Sequence, residues 1–197
     1  IMNCYNGEEY IHDAISSVID QSYKNWELII WDNLSIDRSE EIIHSFKDKR
    51  LKYYKSKKFT NLSEARNLAI EKSIGEIITF LDVDDIWHDN KLYIQIEYFK
   101  QNQYHLIYSN FFVKNEKKNK ISPYTNKKLP EGYITQQLLN DYCVGLLTIM
   151  ISKKIINEIY FDPIFTIIGD FDLVIRISKN YKIGCIQLPL ATYRKHL

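Results

Sequence analysis

Apolar residues fall along this chain in two alternating rhythms. Ile11, Ala14, Ile15, Val18 and Ile19 follow the i, i+3, i+4, i+7, i+8 spacing of a helix with one buried face. Leu28-Ile29-Ile30-Trp31 is instead a short continuous run, which suits a strand covered on both faces. A helix at about 37–48 and a strand at Leu51–Tyr54 repeat the alternation. Asn61 or Ser63 can cap the next helix, which is expected to turn Leu62, Ala65 and Ala69 inward and to end at Gly75. Ile77–Leu81 reads as a further strand, followed by a helix with Leu92, Ile96 and Phe99 inward and by the strand-like Leu106-Ile107-Tyr108.

With the apolar start at Ile1–Cys4, the pattern is β-α-β-α-β-α-β-α-β with short links. A largely parallel sheet with helices on both faces satisfies it most economically, placing the chain in the α/β class. The alternation breaks after residue 110. Residues 113–132 are rich in Lys and Asn and are expected to form a hairpin or mobile surface loop. Beyond them lie an apolar run at 146–151, a helix near 170–180 (Phe171, Val174, Ile175 and Ser178 on one face) and strands near 182–187 and 190–194. No repeat or linker divides the chain, so 1–197 is expected to be one domain. Because the sequence opens inside an apolar run, its first strand is expected to be trimmed at the amino end.

Composition narrows the chemistry mostly by exclusion. Lys+Arg (26) and Asp+Glu (25) nearly cancel, which argues against a nucleic-acid binder held by bulk charge. No stretch approaches the roughly 18 apolar residues of a membrane span. Cys4, Cys143 and Cys185 fit neither a disulfide framework nor a zinc site, and read as reduced core thiols of a cytosolic protein. The six glycines, at 7, 75, 132, 145, 169 and 184, are too scattered for GxGxxG or GxxxxGK[ST]. Any phosphate bound here is held by something other than a glycine cradle.

The carboxylates supply an alternative. In open α/β sheets ligands bind beyond the carboxyl ends of the strands. Asp32 ends the LIIW run, and Asp82, Asp84 and Asp85 follow IITFL, so a parallel sheet lines them along one edge. Three carboxylates within four residues repel one another and raise each other's pKa unless a cation sits among them. Oxygen ligands without a His or Cys cluster suit Mg²⁺ or Mn²⁺, which bridge readily to phosphates. An isolated acidic run is more often a turn capping the next helix. Its position after a buried strand, with a second acidic strand end upstream, favours the ligand site.

Two segments carry a family resemblance. CYNGEEYIHDAISSVIDQSYKNWELIIWDNLSID resembles the opening of a family 2 glycosyltransferase of the GT-A (nucleotide-diphospho-sugar transferase) fold. NLSEARNLAIEKSIGEIITFLDVDDIWHDNKL is similar to that family's Ala-Arg-Asn helix and Phe-Leu-Asp-x-Asp-Asp motif. GDFDLVIRIS and LATYRKH resemble its downstream acid–helix and Tyr-Arg-x-His elements. The resemblance implies a mostly parallel central sheet flanked by helices, with a small antiparallel subregion on the acceptor side. It also implies a nucleotide-sugar-binding half at 1–109 and an acceptor-binding half at 110–197.

By the same resemblance, Tyr5 and Asn6 lie by the nucleotide and Asp32 accepts a hydrogen bond from the uracil ring. Arg66 reaches the base or diphosphate, Asp82 contacts the ribose, and Asp84 ligates the metal. Asp170 is the base that deprotonates the acceptor hydroxyl, and Arg194 and His196 approach the diphosphate and metal. The implied activity is metal-dependent (Mn²⁺ or Mg²⁺), inverting transfer of a sugar from a nucleotide diphosphate donor, UDP-sugar favoured. The implied acceptor is a hydroxyl of a glycan or lipid-linked saccharide, as in surface polysaccharide synthesis. The expected setting is cytoplasmic; Lys52, Lys55, Lys57, Lys58 and the Lys-rich loop at 114–128 could touch the inner face of the membrane, though each run reads first as a solvated charged face.

Departures from the pattern are Asn3 for a common Pro, Asn33 for a frequent second Asp, no Gly before Ala65, and Gly169 for the Glu that often precedes the base. The last motivates an alternative, a non-catalytic nucleotide-sugar-binding domain. A phosphotransferase with an Asp nucleophile fits less well, because its Asp pair belongs after a first strand. Taken alone, Arg66 would be a solvated helix residue and Asp170 a helix cap.

Overall fold

The alternation in the first half of the chain becomes a layered sheet in the computed structural model, which describes residues 1–195. Strands β1 (Met2–Cys4), β2 (Leu28–Asp32) and β3 (Leu51–Lys55) pair in parallel, with Cys4 opposite Asp32 and Asp32 opposite Lys55. They are linked by helices α1 (Ile11–Ile19) and α2 (Ser39–Ser45). Helix α3 (Leu62–Lys72) leads to β4 (Ile77–Thr79), which continues the sheet beside β1. There the amino-terminal nitrogen of Ile1 donates to Thr79 O (2.8 Å) and the backbone N–H of Leu81 donates to Ile1 O (3.0 Å). The spatial order β3-β2-β1-β4 reverses direction at β1, the kind of switch point that opens a ligand crevice at the carboxyl edge.

The second half is mixed. It contains β5 (Ile86–Trp87), α4 (Lys91–Asn102), β6 (Leu106–Asn115), β7 (Lys120–Pro123), α5 (Thr135–Asn140), β8 (Met150–Ser152), α6 (Lys153–Glu158), α7 (Gly169–Ser178) and β9 (Ile183–Lys195). The strand order is β4-β8-β6-β9-β5, with β7 hairpinned onto β6. Only β6 and β9 pair in parallel here, while β8 and β5 run against their neighbours. The directions compose simply: β6 and β9 point the same way as β1 to β4, so their carboxyl ends face the same edge.

Several expected boundaries shift. The 113–132 segment is the β6–β7 hairpin and its exit. The strand expected at 77–81 stops at Thr79, because Phe80 and Leu81 leave the β8 ladder. The two strands expected at 182–187 and 190–194 are one, β9. Pro189 falls where the β6–β9 register slips, opposite Asn110, so its missing N–H falls at an irregularity in the ladder. Asn61 caps α3 by accepting the Glu64 N–H at 2.9 Å, freeing the Ser63 hydroxyl for another partner. Leu62, expected inward, is exposed; the buried face of α3 is Ser63, Ala65, Arg66, Ala69 and Ile70.

Side chains of β2 alternate between two cores. Ile29 and Trp31 pack with α3 and α5 to α7, whereas Leu28 and Ile30 pack with α1, α2 and α4. Helices therefore cover both faces, and the sheet edge above Cys4, Asp32 and Leu81 is left to loops. All three cysteines are unpaired and buried.

Candidate functional site

The loops after β1 and β2 are stitched together. The N–H of Asn6 donates to Ser35 Oγ (3.0 Å) and its Oδ1 accepts the Ile36 N–H (2.9 Å). The N–H of Gly7 donates to Ser39 Oγ (2.8 Å) and that of Glu8 to Asp37 Oδ2 (2.9 Å). Asn6 has φ 53°, a left-handed conformation that Asn tolerates. Tyr5 is consequently held half out in solvent, edge-on to the Phe59 ring at 5.0 Å.

Asp32 lies beneath this seam and is fully buried. Its Oδ1 accepts the Ser35 N–H (2.8 Å) and its Oδ2 the Tyr53 hydroxyl (2.6 Å). Burial and this carboxylate together raise the Tyr53 phenol well above its ordinary value. The neighbouring Asn33 uses both ends of its amide on Thr60, donating to its carbonyl at 2.8 Å and accepting its N–H at 3.2 Å. An Asp at 33 could accept but not donate, which accounts for that departure.

The acidic loop after β4 meets the first seam at Gly7, where a Cβ would come within 3.1 Å of Val83. Asp82 faces the Arg66 guanidinium, whose Nη2 lies 3.3 Å and 3.4 Å from its two oxygens. Arg66 is buried in α3 and lies over the Phe161 ring at 5.4 Å, so it is not a solvated helix residue. Asp85 is buried and accepts the Arg194 N–H at 3.1 Å. Desolvation first, then Asp82 and Asp84, push its carboxyl up to about 8.

That shift has a testable sign. Between the unfolded carboxylate value of about 3.9 and about 8, the native state holds a proton that the unfolded chain has released. Stability therefore falls as pH rises through this window. Asp85→Asn is expected to raise the melting temperature by several degrees at about pH 9 and hardly at all near pH 5, by calorimetry in EDTA.

Two tyrosines given no role in the sequence reading line this region. Tyr193 projects from β9 toward the acidic loop; burial and the charges of Asp85, Asp84 and Asp82 raise its phenol. Tyr142 donates to Asp170 Oδ2 at 3.5 Å and packs edge-on against Phe171. Tyr142 has no sequence signal among 15 tyrosines spread along the chain, whereas Tyr193 is the Tyr of the Tyr-Arg-x-His element.

Asp170 is the second residue of α7, inside the first turn and not the cap. Burial raises its carboxyl; the Phe171 N–H and the nearby Arg66 oppose the rise, and Asp82 adds to it. Arg66, Asp82 and Asp170 thus form one electrostatic group. Gly169 is pressed onto α3: a Cβ there would lie 2.5 Å from Ser63 Oγ, whose hydroxyl donates to Phe165 O at 2.6 Å. A side chain at 169 would have to turn the Ser63 hydroxyl away from Phe165 O, so a Glu there costs that bond.

Arg194 behaves differently from the others. Its guanidinium donates to Asp13 Oδ2 (2.9 Å) and lies over the Tyr10 ring at 5.1 Å, while its backbone N–H serves Asp85. Strand alternation turns Tyr193, its neighbour, toward the acids instead. His196 lies outside the described residues.

A polar clamp supports the acidic loop from below. Trp87 Nε1, Gln95 Nε2 and Thr79 Oγ1 donate to the successive carbonyls of Leu147 (2.9 Å), Thr148 (2.7 Å) and Ile149 (2.6 Å). The fully buried Lys91 joins them, donating to Gln95 Oε1 (2.6 Å) and Thr79 Oγ1 (3.3 Å), with its ammonium over the Trp87 ring at 4.1 Å.

Among the described residues no three His, Cys, Asp or Glu side chains form a ready-made cation cage. The donor set at 82–85 is nevertheless all oxygen, and its crowded charge is felt by both Asp85 and Tyr193. This fits a hard cation bound through one or two carboxylates and completed by phosphate oxygens and water.

The glycosyl transferase family 2 model matches residues 1–163. The chain belongs to the family 2 glycosyltransferases. WfgD of Escherichia coli, named a UDP-Glc:alpha-D-GlcNAc-diphosphoundecaprenol beta-1,3-glucosyltransferase, is 33% identical over 187 residues, covering 95% of this chain and 72% of the relative. WfaP of Escherichia coli, with the same activity in its name, is 30% identical over 100% of this chain and 76% of the relative. Among solved structures, S. aureus TarS 1-349 in complex with UDP-GlcNAc superposes with a TM-score of 0.82 at 17% identity, over 100% of this chain. The glycosyltransferase spans 58% of that TarS chain, and the likeness establishes the GT-A fold.

Proposed function

We propose that this glycosyltransferase transfers a sugar, with inversion, from UDP-sugar to a hydroxyl of a lipid-linked saccharide in surface polysaccharide assembly. The observation that carries the reading is the grouping of Arg66, Asp82 and Asp170 at the carboxyl edge of the sheet. The relatives' names supply the donor and acceptor classes, UDP-glucose and a diphosphoundecaprenol-linked sugar.

In this reading, residues 1–109 hold the nucleotide sugar. Tyr5 and Asn6 meet the base, Asp32 stands beneath it, and Asp82 takes the ribose. Asp84 would hold the Mn²⁺ or Mg²⁺, with His196 as a second ligand; the bound cation supplies positive charge against the leaving diphosphate. Arg66 places a desolvated guanidinium on the same side, where charge develops, and Arg194 would join it only by leaving Asp13.

Residues 110–197 hold the acceptor. The acceptor oxygen attacks the anomeric carbon, the bond from that carbon to the diphosphate oxygen breaks, and UDP leaves with the electron pair. The hydroxyl proton passes to Asp170, whose position is fixed by Tyr142 and by the seat of α7 on α3. No helix among the described residues is long and apolar enough to cross a membrane.

UDP with Mn²⁺ is expected to raise the melting temperature, since saturation at about 100 Kd adds about 2.7 kcal/mol to stability. Asp84→Ala is expected to remove the metal-dependent part of that rise. Absence of any shift with UDP, other nucleotide diphosphates or nucleotide sugars would refute the proposal.

A further inference from the structure

Asn3 is the one polar side chain of β1, between Met2 and Cys4. Those two neighbours pack in the core on the α1, α2 and α4 side. Strand alternation therefore turns Asn3 to the opposite face, the one covered by α3. The ladder sets it opposite Trp31 of β2, which packs in the α3 core. On its other side, the bonds of Ile1 to Thr79 and Leu81 bracket Phe80, as a parallel register requires. Continued for two residues, that register brings Asn3 level with Asp82.

Trp31, Asn3 and Asp82 thus form a row across the head of the sheet. It lies on the face where the Arg66 guanidinium meets Asp82. The row is not satisfied from within. Asn3 Nδ2 is buried without a hydrogen-bond partner, and so is the indole Nε1 of the buried Trp31. Asn3 as a residue is only half-buried, so the rest of its amide borders the crevice. An N–H in this position has lost water and gained no bond, and local preference does not explain it, since Asn is a poor strand former.

The chemistry of the row limits what completes it. Its two orphaned groups are donors, so the missing partner accepts. Asp82 is an acceptor, and its side chain is 39% exposed. A group seated between Asn3 and Asp82 must therefore accept from the amide and donate to the carboxylate. A phosphate oxygen only accepts and is repelled by Asp82, and an ammonium only donates. A hydroxyl does both.

We infer that Asn3 binds the donor nucleotide through a ribose hydroxyl, which accepts from the Asn3 amide and donates to Asp82. The inference rests on the nucleotide-sugar reading above, in which Asp82 takes the ribose, and makes Asn3 a determinant of ribose over deoxyribose. Pro, the common residue at this position in the family, has no side-chain donor to offer. The departure at position 3 thereby acquires a role in this chain.

The test is calorimetric titration of the full chain, with Mn²⁺, by UDP, 2′-deoxy-UDP and 3′-deoxy-UDP. The wild type is expected to bind one of the two analogues at least about tenfold more weakly than UDP. Asn3→Ala is expected to weaken UDP about tenfold and to leave the affinity for that analogue within about twofold, because the analogue already lacks the hydroxyl. Asn3→Thr keeps a donor on a side chain that suits a strand, and is expected to bind UDP with intermediate affinity. Without nucleotide, Asn3→Ala is expected to melt no lower than the wild type, since the amide has no partner to lose.

Equal weakening of all three nucleotides by Asn3→Ala overturns the inference, because the amide would then hold the strand and not the ribose. So does a UDP affinity that the variant leaves unchanged. A wild type that binds UDP and both analogues alike recognises no ribose hydroxyl; the inference then falls while the donor reading stands. A wild type that binds none of the three removes the UDP-sugar reading and the inference with it.

Discussion

Asp170→Asn is expected to slow sugar transfer by about three orders of magnitude while leaving UDP affinity within about twofold. The amide keeps the shape of the side chain and can still meet Tyr142 and the start of α7, but it cannot take a proton from an incoming hydroxyl. Steady-state UDP release and calorimetric titration with UDP and Mn²⁺ separate the two effects. The pH profile adds a second reading. Burial holds the Asp170 carboxyl above the ordinary carboxylate range, so the acid limb of kcat/KM is expected above that range, where the carboxylate becomes available as a base. A parallel loss of UDP affinity would show instead that Asp170 holds the fold of the donor pocket.

Lys91 gives the largest expected effect on stability. Its ammonium is buried with no carboxylate partner among the described residues, and burial drives its pKa well below the usual lysine value. Lys91→Ala empties space under the acidic loop and leaves Gln95 Oε1 without its donor, an expected loss of about 3 kcal/mol in urea unfolding. Lys91→Met fills the space without a charge and is expected to stay within about 1 kcal/mol of wild type, because removing a buried charge offsets the lost hydrogen bonds. The contrast is the test: an alanine variant as stable as the methionine one would mean that the Trp87–Gln95–Thr79 clamp stands without its centre.

Those two residues mark what the sequence could and could not reveal. The helices and parallel strands of the first half are legible because each has a single hydrophobic period, and the strand-end acids announce the crevice edge. Arg66 and Lys91 are not legible as buried groups, since a charged residue within a helix ordinarily faces solvent; only the Ala-Arg-Asn motif singles out Arg66. Tyr142 depends on a pairing with a residue far along the chain that no local pattern encodes, and the Tyr-Arg-x-His element marks Tyr193 without revealing that it faces the acids. The split expected in β9 has a local cause, because Pro189 looks like a strand end until the register slip beside β6 accommodates it. Arg194 teaches the same lesson on a smaller scale: its motif places it at the crevice, but alternation along β9 sends its guanidinium to Asp13.

The close seat of Gly169 on Ser63 has a consequence for how this enzyme can be recombined. The helix that carries Arg66 and the helix that carries Asp170 meet through the Ser63 hydroxyl, which any side chain at 169 would have to turn aside. Positions 63 and 169 are therefore coupled in inheritance through the bond from Ser63 to Phe165 O. A chimera that borrows its second half from a relative with Glu at 169 is expected to lose that bond unless it borrows the start of α3 with it.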